Sequence, residues 1–155
     1  MSQLTESLSD VGTLNAKIHN NFPFPDYTGT VTHYFIGPRH FYLFTSQKLS
    51  ETETNEFNLA ISPNIEAGRY ELPNKEMIPT VPYFLKHWVD EHGAEQTERY
   101  NPDENNGYIV VKKIDKTLGI FEAEFNITLL TQGTPGKSHQ AVGDINVTGW
   151  SENRK

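Results

Sequence analysis

The stretch Ile120 to Leu130, IFEAEFNITLL, decides the fold. Phe121, Ala123, Phe125, Ile127 and Leu129 fall on one side, and Glu122, Glu124, Asn126 and Thr128 on the other. A period of two belongs to a β-strand with one face in a core and the other in water. A slip of one residue would bury both glutamates, so the register is firmly set.

The same pattern repeats outward from this strand. Asp115 to Gly119 (DKTLG) is a turn, and Gly107 to Ile114 (GYIVVKKI) before it is a strand opened by the turn residues Asn105-Asn106-Gly107. Beyond it, Thr131 to Ser138 is a Gly/Pro loop and His139 to Trp150 is the last strand. Towards the N-terminus, Glu56 to Ser62 turns Phe57, Leu59 and Ile61 inward, Pro63 to Ala67 turns, and Gly68 to Leu72 returns. Thr28 to Ile36 and His40 to Thr45 form a hairpin about Gly37-Pro38-Arg39, with Val31, His33 and Phe35 on one face. Val11 to Ile18 alternates through Leu14, Ala16 and Ile18 as a first strand, a short helix being the other reading. Asn20 to Tyr27 is an extended loop with two prolines.

Val81 to Val89 fits two periods. Val81, Phe84, Leu85 and Trp88 suit a helix, whereas Tyr83, Leu85, His87 and Val89 suit a strand, and the β surroundings favour strand. The sum is about eight or nine short strands, an all-β fold read as an antiparallel β-sandwich or flattened barrel with at most one short helix. Residues 1–155 form one domain in this reading, with 1–10 and 151–155 as flexible tails.

Composition narrows the function. Only 35% of the residues are apolar, but nine Phe, seven Tyr and two Trp supply large rings for a core. The net charge of −7 argues against a nucleic-acid binder, which needs a basic face. It fits solubility, or a partner with a basic surface such as a basic enzyme that this chain inhibits. With no cysteine, disulfides, thiolate zinc sites and a Cys nucleophile are excluded. No run approaches ~20 apolar residues, so no membrane span is expected. The opening MSQLTESLSDVG has neither a basic start nor an apolar core. As given, the chain reads as cytoplasmic; as a mature fragment it would fit the periplasm or envelope.

The order of elements resembles a group of uncharacterised bacterial envelope β-sandwich domains. The likeness runs through Ala16 to Asn21 (AKIHNN), through the Gly-x-Tyr-x-Leu return at Gly68, Tyr70 and Leu72, and through Gly107 to Phe125 with Asp115 and Gly119 in place. The resemblance implies a sandwich and carries no activity.

Several motifs invite chemistry. Gly133 to Ser138 (GTPGKS) ends like a phosphate loop, but only two residues separate its glycines and one is proline, so a hairpin loop is the better reading. His87 to His92 (HWVDEH) offers metal-ligand types without the i, i+4 spacing of a helical zinc site. His33 and His40 flank the hairpin turn and complete a candidate metal set of His33, His40, His87 and His92. Glu122 and Glu124 share a face as a carboxylate pair, or more simply as a solvated edge. No Gly-x-Ser-x-Gly elbow positions a nucleophile. Tyr34, Tyr42 and Phe44 put rings on the face opposite Phe35 and Phe41, which makes them the candidate ligand-binding residues. The leading reading is a non-enzymatic binding or interaction module that takes a protein or small-molecule ligand and needs no cofactor. The alternatives are a lipocalin-like carrier and a metal-dependent enzyme built on the four histidines.

Overall fold

The computed structural model describes residues 11–19, 22–131 and 136–151. Nine strands carry the fold: β1 (Gly12–Ile18), β2 (Asp26–Ile36), β3 (Phe41–Lys48), β4 (Glu53–Ile61), β5 (Gly68–Glu71), β6 (Thr80–Val89), β7 (Glu95–Asp115), β8 (Ile120–Leu130) and β9 (Ser138–Val147). No helix occurs among the described residues, so none is long and apolar enough to cross a membrane. The expected tail at 1–10, all but the first residue of the tail at 151–155, and the first half of the Gly133 to Ser138 loop lie outside the described residues.

All pairings are antiparallel. Leaving β5 aside, each strand pairs with the next in the chain, and β9 returns to β1 through Gly12↔Val147 to Ile18↔Ala141. Eight strands therefore close into an up-and-down barrel, and the sandwich-or-barrel choice resolves to the barrel. Closure removes the free sheet edges that a sandwich must protect. β5 is the ninth strand. It pairs with β7 at Tyr108 to Val111, beyond the stretch from Glu95 to Tyr100 that pairs with β6. β7 reaches 21 residues and bends at two register shifts, Pro102/Gly107 and Val111/Lys113.

The segment with two periods is a strand. β6 lies between β4 and β7 with Phe84 inward against Phe57. Its helical spacing arises because Leu85 and Trp88 are only partly buried on opposite faces.

The lumen is filled by rings. Tyr27, Ala16, Gly143, Phe125 and Ile109 form one inward row across β2, β1, β9, β8 and β7. The small residues on β1 and β9 leave room for rings from the other walls. Tyr27 meets Phe57 at 5.3 Å between centroids, Phe57 meets Phe84 at 5.6 Å and Phe125 at 5.7 Å. Rings at these separations are in contact, so the interior is a packed core. Tyr27 shares a 2.8 Å hydrogen bond with Thr45 Oγ1, which itself donates to the Phe57 carbonyl at 2.6 Å. Burial pushes the Tyr27 hydroxyl well above the ordinary tyrosine range, against a smaller opposing pull from its Thr45 hydrogen bond.

Aromatic side chains stop both ends. At one end the loop between β1 and β2 drops Phe22 among Tyr100, His139 and Phe84, at 4.9, 5.0 and 5.2 Å. Tyr100 is pushed up to about 12, chiefly by burial and then by its hydrogen bond to Glu98. At the other end Trp150 stacks on Tyr34 at 4.4 Å and meets Phe41 edge-on at 5.1 Å. Ser151, placed in a flexible tail by the sequence, is 5% exposed. Its amide donates to the Tyr34 carbonyl at 3.0 Å, and its hydroxyl accepts from the Tyr34 amide at 2.5 Å.

Candidate functional site

The first hairpin carries rings on the outside of the wall, with one change of phase. Between Val31↔Thr45 and His33↔Phe44 the pairing skips one residue, so Thr32 forms a bulge in β2. Beyond it the strand has changed faces. Tyr34 points into the barrel, 1% exposed and stacked on Trp150, while His33 and Phe35 point out. The candidate set of Tyr34, Tyr42 and Phe44 therefore loses Tyr34 to the core and gains Phe35. Burial also raises the Tyr34 hydroxyl above its ordinary range, which marks it as a core group.

Phe35 stacks against Tyr42 at 5.4 Å and meets Phe44 edge-on at 6.0 Å. His40 stands 5.9 Å from Tyr42, and His33 6.1 Å from Phe44. All three rings are half-buried. The Tyr42 ring lies over Gly37, where an added Cβ would come within 2.2 Å of it. The turn glycine thus fixes the ring's tilt. The row continues from Phe44 through Asn58 to Tyr83 on β6, where the Arg99 guanidinium caps the ring at 3.9 Å. Asn58 is buried beneath the rings, accepting from the Thr45 amide at 3.1 Å and donating to Glu56 at 3.0 Å.

The four histidines do not converge. His33 and His87 are three strands and four residues apart, on the order of 20 Å by sheet geometry. His40 sits at the β2–β3 turn and His92 at the β6–β7 turn, at opposite barrel ends, with His92 3.7 Å from Glu91 in solvent. Among the described residues no group of three or more His, Cys, Asp or Glu side chains is placed to hold a metal ion. His87 is engaged sideways by Thr97 and Glu56, while His92 stands in the turn beside Glu91.

That engagement is the nearest approach to a catalytic constellation. His87 Nδ1 lies 2.9 Å from Thr97 Oγ1, and Nε2 lies 3.0 Å from Glu56 Oε2. The second contact is close in distance but off the line of a hydrogen bond. Hydroxyl, imidazole and carboxylate thus stand in the order of a nucleophile relay. They flank an open groove of about 370 Å³. β6 has partners on both edges, so its amides are committed to ladders and give no oxyanion hole beside His87. The trio is a latch across β4, β6 and β7.

A groove of about 490 Å³ crosses the opposite wall over β2, β1, β9, β8 and β7. Lys17 and Asp26 pair within it at 2.5 Å, and Glu124, which also lines it, pairs with Lys112 at 2.8 Å. The Glu124 hydrogen bond is the main cause that lifts Lys112 above its usual range. Glu124 of the candidate carboxylate pair is therefore engaged by a lysine. Sequence reading missed this groove because its residues come from five strands at ordinary polar positions.

No protein-family model, curated protein or solved structure matches this chain.

Proposed function

We propose that this barrel is a non-catalytic binding module that recognises a protein partner through the outer wall of β2, β3, β4 and β6. The carrying observation is the cluster of Phe35, Tyr42 and Phe44, half-buried on the outside of a barrel whose lumen is already filled by other rings. Rings with no core to complete are the side chains that dominate protein interfaces. The wall is convex, whereas small molecules favour concave sites. A carrier reading finds less support, because the rings that meet across the lumen occupy the volume a cargo would take.

The test places a photo-crosslinking residue at position 42 or, on the opposite wall, at position 140, in cells producing the full chain. The expected result is one discrete adduct of higher mass from position 42 and none from 140. Identical adducts at both positions, or none at either, would refute the reading.

A further inference from the structure

Of the 11 glycines in the chain, only Gly107 follows an asparagine, Asn106. The main-chain nitrogen after an asparagine stands one ring closure away from the side-chain amide carbon. Glycine has no Cβ, so it leaves that approach open. Other asparagines lack the opening. Asn101 precedes Pro102, which has no N–H. Asn126 and Asn146 precede the β-branched Ile127 and Val147, and both are paired on either side, Asn126 with Tyr108 and Val142, Asn146 with Glu122 and Thr13.

The fold leaves Asn106 outside any ladder. Residues 103–106 of β7 pair on neither edge. On one edge the pairing with β8 stops at Pro102 and resumes at Gly107. On the other, the pairing with β6 ends at Tyr100 and that with β5 begins at Tyr108. Asn106 is exposed. Backbone that no ladder holds can swing into the geometry that ring closure needs at low cost. The same stretch can absorb a change in main-chain length, which within a ladder would shift the register.

We propose that Asn106 is a modification site, at which the folded barrel loses ammonia and becomes a mixture of aspartate and isoaspartate. The Gly107 main-chain nitrogen gives up its proton and attacks Asn106 Cγ. A C–N bond forms and closes an imide ring, while the Cγ–Nδ2 bond breaks and ammonia leaves with the proton. Water then opens the ring. Opening at Cγ gives aspartate, and opening at the main-chain carbonyl gives isoaspartate, with the chain now running through Cγ. This ageing site goes beyond the ring-bearing wall and does not depend on it.

The test incubates the full folded chain at mildly alkaline pH and compares it with an unincubated sample by tryptic mass spectrometry. Peptide 100–112 gains the amide-to-acid mass difference, fragmentation places the gain at position 106, and the protein becomes a methyl acceptor for a protein isoaspartate methyltransferase. Both signals grow faster as pH rises, because the attacking nitrogen must be deprotonated. Positions 126 and 146 stay unchanged over the same interval. Asn106→Gln removes both signals, and its circular dichroism matches wild type because the side chain is exposed. No gain at position 106 in the folded chain, a gain there only after unfolding in urea, an equal gain at position 126 or 146, or a gain that survives in Asn106→Gln would each overturn the proposal.

Discussion

Gly143→Ala tests whether the lumen is as full as the ring geometry says. The new Cβ would lie 2.5 Å from the Asn15 carbonyl oxygen, 2.6 Å from Phe125 Cζ and 2.9 Å from Ala16 Cβ. All three are closer than a Cβ tolerates, and all three neighbours belong to the strands pinned in ladders on either side of β9. Overpacking of this kind costs about 1–3 kcal/mol. Against it stands the gain of about 0.4–1 kcal/mol that Gly→Ala brings by restricting the unfolded chain. The clash wins, for a net loss of about 1–2 kcal/mol, or some 2–8 °C in Tm for a chain of this size. Urea unfolding followed by tryptophan fluorescence should show a lower midpoint with an unchanged slope. Gly149→Ala is the control, since its nearest neighbour would be 3.7 Å away, and it should stay within about 0.5 kcal/mol of wild type. Phe125→Leu in the same chain as Gly143→Ala should recover part of the loss, because the offending ring atom is gone. A Gly143→Ala protein as stable as wild type would mean that the lumen has slack and that a small ligand could enter it.

Four further outcomes follow. Tyr27→Phe keeps the ring and removes one of the two hydrogen bonds of Thr45 Oγ1, costing about 1 kcal/mol at neutral pH by urea titration. Because burial raises the folded-state hydroxyls of Tyr27 and Tyr34, their contribution is fully present below the unfolded value near pH 10. It is lost as pH rises towards the folded values, at about 1.4 kcal/mol per pH unit for each tyrosine; unfolding followed at 295 nm should steepen above pH 10 and ease in Tyr27→Phe. Trp150→Ala removes the cap on Tyr34 and Phe41 and should cost about 2–4 kcal/mol by the same titration. Zinc or a chelator should leave Tm unchanged, since His33, His40, His87 and His92 lie apart; a zinc-dependent rise would refute that separation.

Much of the wall was legible because its period was clean. β8 lies where its alternation puts it, and Leu14, Ala16 and Ile18 face inward as read. Other features were hidden for physical reasons. The start of β7, from Glu95 to Arg99, is exposed and carries no apolar alternation, so nothing in it marks a strand. Phe22 lies in a proline loop, and its burial depends on Tyr100 and His139, which only the closed barrel brings near. The Thr32 bulge left no mark in the residue pattern, yet it moved Tyr34 into the core and cost the candidate surface one of its rings. The histidine set failed for a related reason: sequence distance says little about which strands lie between two positions on a barrel.

The seam between β1 and β9 also sets a clock. A ribosome delivers β1 first and β9 last, and Ser151 reaches Tyr34 only at a separation of 117 residues. About 129 residues separate the end of β1 from the end of β9, so synthesis at ~5–20 residues per second keeps β1 waiting roughly 6–26 s. Through that interval the nascent chain holds an unpaired strand edge and a half-formed ring core in the open. That exposed edge is gone once the last strand docks.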